Sequence, residues 1–169
     1  MKVQLDNLTL KQFMALKNIN ANEQNYESRI EYYSDILQVA LNKPADEIDN
    51  LDIHEFKTLA NEFNLINITI NNFENEFKID GQIYITSASN NEFTFKVKEI
   101  QQLEKIIKNE NSEAEIAAII WREKGEDGKP INDFSAEGIA KRKEIFLNNM
   151  TLKHIMPYLD KLATYLTEK

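Results

Sequence analysis

Few residues in this chain have the type and spacing that chemistry requires. Its two histidines, His54 and His154, stand a hundred positions apart. Neither has a second ligand at helical spacing of the H-E-x-x-H kind, so neither marks a metal-dependent hydrolase. His54, in "DIHEF", falls on the polar side of a helical stripe and reads as a surface histidine. Glu123, Glu126 and Asp127 gather with Arg122 and Lys124 in "WREKGEDGK". Paired carboxylates can do general acid–base work, but mixed charges in a glycine-rich loop read first as a solvated surface. "GEDGKP" is not a phosphate loop, because Pro130 stands where the hydroxyl residue must sit. The basic stretch "AKRKE", residues 140–144, reads as the polar face of an amphipathic helix, with contact to a phosphate or an acidic partner as the alternative. Trp121 follows the apolar run "AAII" and reads as a core anchor, with an interface hot spot as the alternative. These residues support no catalytic, cofactor or metal site, and the expectation is a protein without enzymatic activity.

The bulk properties narrow the partners. With 28 Asp and Glu against 20 Lys and Arg, the 169-residue chain carries a formal charge of −8. That charge repels a phosphate backbone and an anionic membrane surface alike, so neither nucleic acid nor membrane is expected as a partner. The absence of cysteine excludes disulfides and thiolate chemistry and fits a reducing compartment. "MKVQLDNLTL" has no apolar run of the signal-peptide kind, and no stretch approaches the roughly 20 apolar residues of a membrane span. A soluble intracellular protein is expected.

The elements that must position any site are mostly helices. A short strand is expected around Val3 and Leu5. In "TLKQFMALKNI", Thr9 and Gln12 have capping-box spacing, and Leu10, Phe13 and Leu16 share the face that follows. Ile30, Tyr33, Leu37, Ala40 and Leu41 trace a second helical stripe, broken at Pro44. A third helix opens at Asp52, with Glu55 placed to reach back, and presents Ile53, Phe56, Leu59, Ala60 and Phe63 inward. In "FKIDGQIYIT", residues 77–86, Asp80-Gly81 between alternating apolar residues predicts a β-hairpin. A two-residue turn puts Phe77, Ile79 and Tyr84 on one face. A three-residue loop with a glycine bulge joins Phe77 to Ile83 and Ile85, and the larger apolar area favours it. Phe93 and Phe95 suggest a third strand. Helices resume with Val97, Ile100, Leu103 and Ile107, then with "SEAEIAAIIWRE", where Ser112 and Glu115 repeat the capping-box spacing. After the "GEDGKP" turn, one helix carries Ile139, Ile145 and Phe146. The last carries Leu152, Ile155, Leu159, Leu162 and Leu166, with Pro157 either kinking it or marking its first turn.

The fold class expected is α+β, mainly α: short helical units with one hairpin at about residues 76–86, divided as 1–72 and 73–169. A diverged tandem duplication is one reading of the two halves. Phe13 and Leu16 reappear as Ile100 and Leu103 after 87 positions, and Lys43-Pro44 as Lys129-Pro130 after 86. The competing reading is that amphipathic helices joined by loops match by accident.

Two stretches resemble a known group. "LDNLTLKQFMAL", and "FKIDGQIYIT" continued through "FKVKEIQQLEKI", "EIAAIIWRE" and "FSAEGIAKRKEIFLNNMTLKHIMPYL", resemble small morphogenesis proteins of tailed bacteriophages, nearest to the tail assembly chaperone type. The hairpin pattern F-x-x-x-G-x-x-Y is matched by Phe77, Gly81 and Tyr84, and L-T-x-x-x-[FY]-x-x-L by Leu8, Thr9, Phe13 and Leu16. The aromatic-Arg-Glu that ends an apolar helix is matched by Trp121-Arg122-Glu123. In the second half Lys96 replaces the capping Thr, and the first half lacks a clear hairpin. The resemblance implies a protein without enzymatic activity that holds a helical tail component in the host cytoplasm before assembly. Its partners would be other phage structural or tail proteins, with a homo-oligomer left open. An acidic helical body receives an amphipathic partner helix through an apolar groove. That groove is expected in the second half near Trp121, Phe134, Ile139 and Phe146. The alternative is a structural virion component, a connector, ring or internal protein present in many copies. A nucleic-acid mimic would need its carboxylates in a dense stripe, and here they are spread through mixed-sign helices.

Overall fold

In the computed structural model, which describes residues 5–64, 74–87 and 95–167, Thr9 opens the first helix as its spacing predicts. Its Oγ1 accepts from the Gln12 N–H at 3.2 Å, and the Gln12 side chain accepts from the Thr9 N–H at 2.9 Å. The same glutamine donates to the Val39 carbonyl at 2.8 Å, which ties helix α1 (Leu10–Ala21) to α2 (Arg29–Leu41). The inward face of α2 is Tyr32, Ile36 and Leu37, while Ile30 is 61% exposed. The stripe is therefore rotated from the predicted one, and Tyr32 takes the inward place with its hydroxyl donating to Asn20 at 2.7 Å. Asn42 closes α2 at φ +52°, a left-handed geometry that asparagine tolerates. Pro44 then caps α3 (Ala45–Asp49), a helix too short to leave a periodic signal. Asp52 accepts from the His54 and Glu55 amides at 2.8 and 2.9 Å and so caps α4 (Ile53–Asn64). Phe56 and Leu59 join Leu37 and Ile48 in the core, whereas Ile53, expected inside, is half exposed. Leu5 begins a 3-10 turn and not a strand; Val3 lies outside the described residues.

These helices belong to the first of two compact units, Met1–Thr69; the second is Ile70–Lys169. In the second, β1 (Glu76–Ile79) and β2 (Gln82–Thr86) pair antiparallel with Phe77 opposite Tyr84 and Ile79 opposite Gln82. The connection is the two-residue turn, and the glycine-bulge loop is corrected. Asp80 at φ +48° and Gly81 at φ +86° supply the two positive dihedrals whose twist suits flanking strands. The third strand is β3 (Trp121–Glu123), not the segment around Phe93 and Phe95. Phe95 precedes a helix outside any strand, and Phe93 lies outside the described residues. The order β1-β2-β3 sets Tyr84 opposite Glu123, Ile85 opposite Arg122 and Thr86 opposite Trp121.

The remaining helices are α5 (Val97–Ile106), α6 (Glu113–Ile120), α7 (Ala136–Asn149) and α8 (Leu152–Thr167). The architecture is thus mainly helical α+β with one small antiparallel sheet. Helix α6 is buried at six of its eight positions and passes into β3 with no intervening loop, the Trp121 N–H still donating to the Ala117 carbonyl. Ser112 makes no side-chain cap, so the second capping box does not form. Pro157 lies inside α8, whose inward face includes Leu152, Ile155, Tyr158 and Leu162. The sheet is covered on both faces. Phe77, Tyr84 and Trp121 meet Phe146 of α7 and Tyr158 of α8, with ring centroids 4.5–5.7 Å apart. Arg122 reaches the other way to Glu99 of α5. The two Lys-Pro pairs occupy unlike settings: Lys43-Pro44 precedes α3, whereas Pro130 forms a bridge back to Lys124.

Candidate functional site

Helix α7 carries the side chain that organises one face of the second unit, Arg142. Arg142, at the centre of the basic stretch, is 1% exposed, which corrects its reading as part of a solvated face. Its Nε donates to the Ala118 carbonyl of α6 at 2.8 Å and its Nη2 to the Asp133 carbonyl at 2.7 Å. Nη1 stands 3.6 Å from both the Glu123 and the Asp133 carboxylates. Asp133 Oδ1 also accepts from the Ser135 amide and hydroxyl at 2.9 and 2.6 Å. Those bonds, more than the nearby Arg142 charge, hold its carboxyl below the ordinary aspartate value. Ser135 in turn caps α7 at the Gly138 amide. A Cβ at Gly138 would overlap the Asp133 carboxylate and have to displace it.

Between the hairpin tip, the loop after β3 and α7 lies a cleft of about 550 Å³. Ile79, Ile131 and Ile145 line its apolar part; Asp80, Glu123, Asp133, Lys124 and Lys141 supply charges of both signs. Alternation along the strands explains the membership, because Ile79, Gln82, Tyr84 and Glu123 all project from one sheet face. Tyr84 is 3% exposed and lines the cleft, and among the described residues its hydroxyl has no hydrogen-bond partner. Burial raises its pKa first, Glu123 adds to the rise, and Arg142 opposes it. Lys124 is engaged by Glu76 at 2.6 Å.

Behind the opposite sheet face is a fully buried ion pair, Glu99 with Arg122. The Glu99 carboxylate also accepts from the Ser87 hydroxyl at 2.5 Å and the Lys96 amide at 2.7 Å, so it supplies the half of the capping box that Lys96 cannot. Arg122 stacks 4.6 Å from the Phe134 ring, and among the described residues its buried Nε has no partner. Burial lowers its pKa, against the pull of Glu99. At the far end His154 Nε2 lies 2.8 Å from Glu74 and Nδ1 3.0 Å from the Thr151 hydroxyl. Burial brings its pKa below the ordinary histidine value in spite of Glu74.

Of the four residues expected near a groove, Trp121 and Phe146 are fully buried in the aromatic core. Phe134 is half-buried between Arg122 and Lys98, and Ile139 is half-buried on α7. None of the four lines the cleft. The residues that do, Ile79 and Tyr84 above all, were marked in the sequence by the alternation of the two-residue-turn register. A smaller recess in the first unit, about 230 Å³, is formed by Tyr26, Tyr32 and the segment Glu27–Arg29, with Glu23 at its side. Among the described residues no group of three His, Asp or Glu side chains is placed to hold a metal ion. Comparison with known protein families, with curated proteins and with solved structures finds no match.

Proposed function

We propose that this chain is a protein without enzymatic activity that acts by contact in the morphogenesis of a tailed bacteriophage, holding a partner in the manner of a tail assembly chaperone. The observation that carries the reading is the cleft beside the hairpin. It is open to solvent, half apolar and rimmed by both signs of charge, and its walls are fixed by the buried Arg142 contacts. A preformed surface of this kind suits a side chain presented by a partner, because little ordering cost falls on the receiving side. The resemblance of the hairpin and helix patterns to phage morphogenesis proteins supports the biological setting, and the charge of −8 keeps the chain away from nucleic acid.

Quantitative mass spectrometry of purified virions, against lysate of the infected host, tests it. The chaperone reading expects the chain in the lysate and its absence from particles. A fixed copy number relative to the major capsid protein would overturn that role and make the chain a structural virion component.

A further inference from the structure

We propose that the cleft beside the hairpin receives one arginine side chain from a partner protein, its stem against Ile79, Ile131 and Ile145 and its guanidinium among Glu123, Asp133 and the Tyr84 hydroxyl. This rests on the reading of the second unit as a surface that holds a partner. Three observations converge on it.

The first is Tyr84. It is 3% exposed, its hydroxyl faces the cleft, and it has no hydrogen-bond partner among the described residues. That hydroxyl is not enclosed, so it can accept from a donor entering the cleft. The second is charge. Asp80, Glu123 and Asp133 line the cleft with Lys141, Arg142 stands behind Glu123 and Asp133, and Lys124 is taken by Glu76. One negative charge remains in excess, which one incoming cation neutralises. Arg142 cannot invite an anion instead, because its Nε and Nη2 are committed to the Ala118 and Asp133 carbonyls. The third is the apolar wall. Ile131 is 48% exposed, and with Ile79 and Ile145 it offers a track for a methylene stem whose charged head lies beyond. Acceptors spread over several side chains suit the five-donor fork of arginine better than the point charge of lysine. The net charge of the whole chain would draw a basic segment toward it.

The test is a methyl-detected NMR titration of the full chain with butylguanidinium chloride, butylammonium chloride and the neutral butylurea at constant ionic strength. Saturable shifts at the Ile79, Ile131 and Ile145 methyls are expected with butylguanidinium, with affinity about tenfold weaker for butylurea. Tyr84→Phe keeps the ring packing and is expected to weaken binding severalfold with the other methyl signals in place. Lys141→Glu, an exposed change, is expected to tighten it. Equal binding of butylurea would make the cleft merely apolar and overturn the proposal, as would an unaltered affinity in both variants. Tighter binding of butylammonium would overturn the choice of arginine. The particle count is independent of this titration: a chain found in virions that still binds butylguanidinium loses the chaperone role and keeps the cleft chemistry.

Discussion

Truncating Glu99 to alanine should be the most damaging single change in the second unit outside its aromatic core. The carboxylate and the Arg122 head are both fully inaccessible to solvent. Removing it leaves three donors without their acceptor: Arg122 Nη2, the Ser87 hydroxyl and the Lys96 amide. Arg122 would keep only a 3.5 Å contact to Asn132 and the Phe134 ring, too little to compensate a buried charge. Breaking a buried pair in this way costs about 3–5 kcal/mol, a large part of the 5–15 kcal/mol that holds a typical domain together. In a unit of this size that lowers the melting temperature by roughly 12 °C or more. Trp121 is the single tryptophan and is fully buried in the second unit, so urea unfolding followed by its fluorescence reads that unit alone. Glu99→Leu combined with Arg122→Met should recover most of the loss, because the cost lies in the orphaned charge and not in missing volume. A Glu99→Ala chain within about 1 kcal/mol of the parent would refute the argument. A double variant as weak as the single one would move the cause to packing.

Three further outcomes are expected. Helix propensity alone makes Gly138→Ala a gain of about 1 kcal/mol, but the overlap with Asp133 must push that carboxylate off Ser135. A net loss of stability by the same fluorescence assay is therefore expected, and a gain would mean that the carboxylate can step aside freely. Because burial lowers the His154 pKa from its ordinary 6.5, the unfolded chain binds a proton just below that pH that the folded chain does not. Its contribution is complete above pH 6.5 and is lost as pH falls toward the folded value, with Glu74 and Lys153 the charged groups beside it. Urea midpoints across that range should decline in the parent and decline less in His154→Gln; parallel curves would acquit the histidine. Thr9→Ala should cost about 1 kcal/mol and speed amide exchange at Gln12, whereas Ser112→Ala should leave the start of α6 unchanged, since only the first serves as a cap.

Local chemistry was legible in the sequence; long-range partnership was not. Thr9 with Gln12, Asp52 before α4 and Asp80-Gly81 each act within a few residues of themselves, and each forms what its spacing predicts. Apolar area on one face points to the wrong hairpin register, because Ile85 and Tyr84 are buried on opposite faces of a sheet covered on both sides. Trp121-Arg122-Glu123 looks like the tail of a helix, since a stretch buried nearly all round has no periodicity to announce its change to strand. Arg142 looked solvated among its lysine neighbours because Ala118, Glu123 and Asp133, which enclose it, lie 9 to 24 positions away. The cleft inherits that difficulty, as its walls come from the hairpin, a loop and α7.

The direct passage from α6 into β3 bears on how this chain can vary in length. Ile120 ends the helix and Trp121 begins the strand, with no spare residue between them to absorb an insertion. One residue added or removed there would turn β3 over, sending the indole toward Glu99 and the guanidinium into the ring of aromatics. Length changes should therefore be barred at this junction while remaining admissible in the exposed turn Glu126–Lys129 a few residues later. A relative aligned with a gap at Ile120-Trp121 could not keep this core.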